Sequence, residues 1–249
     1  MTIEIFIFGG YIDMILCIGD LHGRSFWKKA VEDNIDKVYK IIFIGDMLDP
    51  YPWEGITRKD AIRNFQEVID FKSENKDKVI LLVGNHDCPY IDKRNFDSRS
   101  RYDSSNAYHI EEMFRSHRSL FQVAYEELIN DKRYLFTHAG LQKGWYDNNK
   151  KIIGELTVEN LNKLLDIPQG MRSLCEASWL RGGTDKFGSV VWNDLRDMHS
   201  RINQDIPWEY QIFGHTMLDD DHPLITKQFA CIDCKKAVII NDDGGFVEC

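Results

Sequence analysis

Acidic, amide and imidazole side chains follow short apolar runs at five places along the chain: Asp20 and His22, Asp46 and Asp49, Asn85 and His86, then His138, and last His215. These residue types bind metal ions or move protons. The runs before them, 15–18, 41–44, 79–83, 134–137 and 211–213, have the length and composition of buried strands. In an open α/β sheet, ligands bind in the crevice beyond the carboxyl ends of the strands, so side chains scattered in sequence are expected to meet there. Carboxylate and amide oxygens together with imidazole nitrogens suit two divalent cations, manganese first, with iron or zinc as alternatives to it, and Asp46 is expected to bridge the pair. Two such ions polarise phosphoryl oxygens and acidify a shared water until hydroxide exists near neutral pH, able to attack phosphorus in line. His86 adjoins Asn85 but should point elsewhere, and is expected to protonate the leaving oxygen with its tautomer fixed by Asp49.

Between the apolar runs lie segments of helical period, 25–33 and 58–74, and in the second Ala61, Ile62, Phe65, Val68, Ile69 and Phe71 mostly share one face. Strands alternating with helices imply a layered α/β fold. Runs at 230–233, 237–241 and 246–247 suggest a β-meander at the end. Two polar stretches, roughly 88–114 and 145–188, interrupt the core as surface loops or a small helical cap would. No repeat or linker divides the chain, so a single domain over 1–249 is expected, with 145–188 as a cap-like insertion. Residues 1–13 read equally as an extension or as an added edge strand.

A chain of 249 residues with 43% hydrophobic and 29% charged residues has the composition of a folded globular protein. Its formal net charge of −9 disfavours nucleic acid and anionic membrane as partners. Six cysteines without a regular framework point to free thiols and a cytoplasmic setting. Cys231 and Cys234 read as packing thiols rather than a metal pair. Asp219 to Asp221 read as a solvated turn, and His109, His117, His199 and His222 as ordinary surface or core histidines. Tyr51 and Trp53 follow Asp49 closely enough to line a cleft.

The blocks Gly19-Asp20-Leu21-His22-Gly23, Gly45-Asp46-Met47-Leu48-Asp49, Gly84-Asn85-His86-Asp87, Thr137-His138-Ala139-Gly140 and Gly214-His215-Thr216 resemble, in this order, those of the calcineurin-like metallophosphoesterases. Trp192-Asn193 and Cys231-Ile232-Asp233 are similar to the tail of phage and bacterial serine/threonine phosphatases, and diadenosine tetraphosphatases share the pattern. The resemblance implies a four-layer α/β/β/α sandwich. It implies one ion held by Asp20, His22 and Asp46, a second held by Asp46, Asn85, His138 and His215, and His86 as general acid. The activity implied is hydrolysis of a phosphomonoester, of phosphoprotein type. A nucleotide or dinucleoside polyphosphate hydrolase is the alternative, and a catalytically silent binding module of the same fold is a further one. Met217 stands where nuclease-like and purple-acid-type relatives carry a second histidine, which disfavours those branches.

Two departures bear on the substrate. Pro50 occupies the place of an arginine that clamps phosphate in family phosphatases, and Asp194 follows Trp192-Asn193 where phage members carry another. Arg24 or Arg196 are the expected substitutes. Arg99, Arg101, Arg172 and Arg181 in the insertions offer a further positive wall.

Overall fold

The computed structural model describes residues 14–95, 100–198 and 205–249. The opening stretch read as an extension or edge strand, and Arg99 and His199, lie outside the described residues. In chain order the elements begin with β1 (Ile15–Ile18), α1 (Phe26–Asn34), β2 (Lys40–Phe43), α2 (Arg58–Glu74) and β3 (Val79–Leu82). They continue with α3 (Cys88–Ile91), α4 (Ala107–Ser116), β4 (Phe121–Gln122), β5 (Ala124–Ile129) and β6 (Lys132–Thr137). Then come α5 (Lys143–Ile153), α6 (Val158–Lys163), α7 (Pro168–Leu174), α8 (Leu195–Met198) and β7 (Tyr210–Phe213). The chain closes with β8 (Leu224–Ile225), β9 (Phe229–Cys231), β10 (Ala237–Ile240) and β11 (Phe246–Glu248).

One sheet has the order β11-β10-β1-β2-β3-β4 and the other β5-β6-β7-β9-β8. Strands β1 to β4 run parallel, because helical crossovers return the chain to the same edge each time. In the second sheet β6, β7 and β9 are parallel. The carboxyl ends of β1, β2, β3, β6 and β7 carry the chemistry-bearing blocks.

Alternation along the strands builds the layers. Ile15, Cys17, Ile42, Ile44 and Leu82 pack with Phe136, Ile212, Ala230, Val238 and Ile240 between the sheets. Their neighbours Leu16, Ile18, Ile41, Phe43 and Leu81 turn outward to Trp27, Phe65 and Val68 of α1 and α2. Leu135 of β6 joins the cluster that holds Trp145, Leu161, Leu164, Met171 and Leu174, so the first part of the 145–188 stretch, through α7, is helical and packs an apolar face on the second sheet, while Trp179 stays exposed. The result is the helix–sheet–sheet–helix sandwich. At the start of α2 the Thr57 side chain accepts the Asp60 amide, which caps one orphan N–H.

The tail is not one meander. β8 and β9 form an antiparallel pair in the second sheet, whereas β10 crosses to the first, where it pairs antiparallel with β1 and with β11. β9 and β10 are each buried along their whole length, so each needs a partner strand inside a sheet, and the two find them in different sheets, while β8 and β11 lie more exposed at the edges. β5 escapes the apolar-run criterion because Glu126 and Glu127 interrupt it, yet it pairs with β6 along its whole length through a turn at Asn130 and Asp131, both at positive φ. Among the described residues no helix is long and apolar enough to cross a membrane.

Candidate metal centre

The loops that leave the strand ends are unusually bent. His22 (φ 46°), Asp46 (φ 51°), Asp49 (φ 61°) and His215 (φ 65°) all occupy the left-handed region that non-glycine residues avoid. Each such residue costs about 1–3 kcal/mol, and clustering of that cost marks a functional site. Two glycines let the loops close. A Cβ on Gly84 would collide with Asp46 Oδ1, and one on Gly214 with Asp20 Oδ1.

The bends bring the sequence-derived side chains together. Two donor groups form, His22 with Asp46 and His86, and Asp46 with His138 and His215, and within each the ligand atoms lie within 4.8 Å of one another. Asp46 is common to both. His22 Nε2 stands 3.5 Å from Asp46 Oδ2 and 4.0 Å from Asp20 Oδ2. His138 Nε2 lies 3.4 Å from Asp46 Oδ2, 2.9 Å from Asn85 Oδ1 and 3.2 Å from His215 Nδ1. Asp20 also accepts the His215 amide at 3.1 Å, which ties the first strand loop to one almost two hundred residues later.

The imidazoles are oriented from behind. His22 Nδ1 meets the Leu48 carbonyl and His138 Nδ1 the Ile44 carbonyl, each at 2.9 Å, so in both rings Nε2 is the nitrogen turned to the centre. His86 is held differently, through Nδ1 to Asp49 Oδ2 at 3.0 Å. His215 Nε2 is buried with no hydrogen-bond partner among the described residues. An orphaned imidazole nitrogen, a carboxylate shared by two donor groups and hard oxygens among acceptor nitrogens fit a pair of divalent cations.

Electrostatics of the protein alone agree with that fit. Burial pushes Asp20 up to about 6, with the Asp46 charge adding to it. Against the push of burial, His138, His86 and His22 hold Asp46 well below the ordinary carboxylate range. His138 is raised to about 10, burial opposing and Asp46 and Asp20 prevailing. Burial holds His22 and His215 well below their ordinary value, helped at His22 by neighbouring His86 and Arg101 and at His215 by Arg181. Buried carboxylates outnumber the permanent cations around them, a charge balance that divalent ions would correct.

Sequence reasoning assigned no role to Asp87, which follows His86 directly and is completely buried. Its carboxylate accepts the backbone N–H groups of Asp46, Met47 and Gly84 at 2.9, 3.1 and 2.8 Å, clamping the second and third strand loops together. Burial, then the Asp46 charge, pushes it up to about 7 in the protein alone. Asp233, within the tail block, is a further buried carboxylate, raised by burial and by Asp20. Neither role leaves a spacing signature, since backbone donors are invisible in sequence.

The arginines sort by their partners. Arg24 is turned to Glu54, with Nε 2.9 Å and Nη2 2.8 Å from its carboxylate oxygens. Arg196 binds Asp194 through Nε at 2.8 Å, and Arg172 is exposed on α7. Arg101 donates from Nε to the Asp49 carbonyl at 2.9 Å, places Nη2 3.0 Å from His22 Nδ1, and lies 3.7 Å above the Tyr51 ring. Arg181 reaches Thr216 and Asp194. Tyr51 packs edge-on to His22 with centroids 4.8 Å apart, and Trp53 leans on Tyr51 at 4.7 Å while remaining 69% exposed. Cys231 and Cys234 are buried free thiols, and Asp219 to Asp221 are exposed.

Residues 14–219 match the family model of the calcineurin-like phosphoesterases. The chain belongs to that family. As a calcineurin-like phosphoesterase it is a hydrolase of phosphoester bonds. No curated protein matches it. Among solved structures it is similar to a cold-active protein-tyrosine phosphatase from a psychrophilic Shewanella species, at 15% identity and TM-score 0.57, covering 95% of this chain and 80% of that one. It is also similar to a protein serine/threonine phosphatase from Saccharomyces cerevisiae, at 15% identity and TM-score 0.55, covering 96% of this chain and 79% of that one. At this identity the likeness concerns the fold.

Proposed function

We propose that this calcineurin-like phosphoesterase hydrolyses phosphomonoesters, as a serine/threonine protein phosphatase does, by direct attack of water and without a covalent enzyme intermediate. The observation that carries the reading is Asp46 shared by two donor groups, with the His86–Asp49 pair beside them. Asp20, His22 and Asp46 would hold one divalent ion, and Asp46, Asn85, His138 and His215 the other, manganese being the first candidate and iron or zinc the next. When bound, the ions polarise the phosphoryl oxygens and acidify the attacking water.

The remaining steps belong to side chains. Asp49 accepts the Nδ1 proton of His86, which leaves Nε2 to give a proton to the departing oxygen as its bond to phosphorus breaks. Arg101 supplies positive charge at the rim, in place of the residue at Pro50. A guanidinium fixed beside two dications is repelled unless an anion lies between them, and a phosphoryl group is such an anion. Arg181 lies beside His215 but is paired with Asp194. Arg24 and Arg196 are occupied by Glu54 and Asp194 and serve the phosphate less directly. We read the whole as one domain over 1–249 with 145–188 as its cap-like insertion, acting in the cytoplasm, where six unpaired thiols are at home.

One observation favours a second reading. The exposed Trp53 face, continued inward by Tyr51 to His22, is a shelf on which a nucleobase could stack, as a nucleotide or dinucleoside polyphosphate hydrolase requires. Turnover of a serine phosphopeptide against a dinucleoside tetraphosphate, with manganese supplied, separates the two. If p-nitrophenyl phosphate is not hydrolysed under saturating manganese and Asp46→Asn leaves metal content unchanged, the chain is a silent binding module instead.

A further inference from the structure

Asp49 is gripped from the side opposite His86. While its Oδ2 meets His86 Nδ1 at 3.0 Å, its Oδ1 accepts the Tyr90 hydroxyl at 2.6 Å. The direction of that second bond is forced. Tyr90 oxygen already accepts the backbone N–H of Asp103 at 2.6 Å, an amide can only donate, and so the phenolic proton goes to Asp49. Burial, then the neighbouring Asp49 charge, raises the phenol far above its ordinary range and keeps it a donor.

Every member of this relay is buried, Tyr90 at 1% exposure, Asp49 at 3%, Asp103 at 3% and His86 at 6%. Tyr90 stands on α3, one turn beyond His86, with its ring stacked on Tyr102 at 4.6 Å. The segment that carries Tyr102 and Asp103 also reaches Asp49 itself, through Arg101 Nε on its carbonyl. With both carboxylate oxygens engaged and water excluded, the Asp49 plane cannot rotate without leaving a buried polar group unmatched.

We propose that Tyr90 is a positioning residue for the hydrolysis: its hydroxyl fixes the Asp49 carboxylate, which in turn fixes the His86 ring so that Nε2 addresses the leaving oxygen. The inference rests on the hydrolytic reading above. In the step concerned the phosphorus–oxygen bond breaks, its electron pair stays on the leaving oxygen, and that oxygen takes the Nε2 proton. Water supplies the replacing oxygen on phosphorus, and the proton it loses to solvent balances the one His86 regains.

The test is a leaving-group comparison on Tyr90→Phe, which keeps the ring and its stack. p-Nitrophenolate departs without a proton, whereas an alkoxide does not. With manganese supplied, kcat on an alkyl phosphate should fall about ten-fold and on p-nitrophenyl phosphate less than about three-fold, with KM unchanged on both. In an Asp49→Asn background the Tyr90→Phe change should add nothing. Equal losses on the two esters, no loss on either, a loss confined to melting temperature, or full additivity with Asp49→Asn overturns the proposal. A wild-type protein that hydrolyses neither ester is a different result: it removes the hydrolytic reading, and this inference with it.

Discussion

His86 and Arg101 sit on either side of His22 and are assigned separable tasks, so their substitutions should leave different kinetic marks. His86 turns its ring to the centre, while its backbone N–H bonds Asp46 Oδ1 at 2.9 Å whatever the side chain. His86→Asn should therefore lower kcat by about 10²–10⁴ while both ions remain, measured by turnover and by metal content of the same preparation. Loss of the ions would show that His86 is a ligand, consistent with its place in the first donor group. Arg101→Ala removes a charge that meets the ground-state phosphate. It should raise KM by about ten-fold or more, equivalent to about 1.4 kcal/mol, with a smaller change in kcat, read from saturation curves.

In the loops after β2 and β3 the backbone N–H groups of Asp46, Met47 and Gly84 are met by the Asp87 carboxylate. Asparagine at 87 retains one acceptor oxygen for three N–H donors and turns an amide towards them. Asp87→Asn should cost about 3 kcal/mol of stability and lower manganese occupancy, checked by denaturant unfolding and metal analysis. An unchanged metal content would mean that the loops hold their bends without it. Much at this scale is legible before any coordinates. Ile15 to Ile18 and Ile41 to Ile44 announce buried strands, and Asp20 and Asp46 directly follow them. Arg101 is legible only as one of several arginines in the insertions, and Asp87 and Tyr90 are not legible at all, because their partners are backbone groups or residues far off in sequence that reveal themselves only when strand ends converge. The tail misleads for a related reason: alternating apolar runs disclose strands but not the sheet each one joins.

The centre draws on both sheets, with Asp20, His22, Asp46 and Asn85 from the first and His138 and His215 from the second, so ion binding is also a property of the whole fold. In the protein alone, Asp20 is raised from 3.8 to about 6 and His138 from 6.5 to about 10. Their protons stabilise the ion-free fold fully below the ordinary values, and that contribution fades as pH rises through about 6 for Asp20 and toward about 10 for His138. A cation must displace those protons, so its advantage grows over the same window. The rise in melting temperature caused by manganese should be small near about pH 5.5 and larger near about pH 8, each displaced proton contributing about 1.4 kcal/mol per pH unit. A rise that shrinks with pH would contradict the ligand assignment.

β1 is the first described strand to be made, and its partner on one side is β10, with Ile15 opposite Ile240. As the polypeptide emerges from the ribosome, β1 lacks its β10 partner until residues 237–240 have been made, and the Asp20–His215 contact cannot form before β7 is complete. An unpaired apolar strand edge invites pairing with other chains in the meantime, so refolding yield should fall as protein concentration rises, read by light scattering during dilution from denaturant, and a two-ion centre can assemble only after β7 has joined the second sheet.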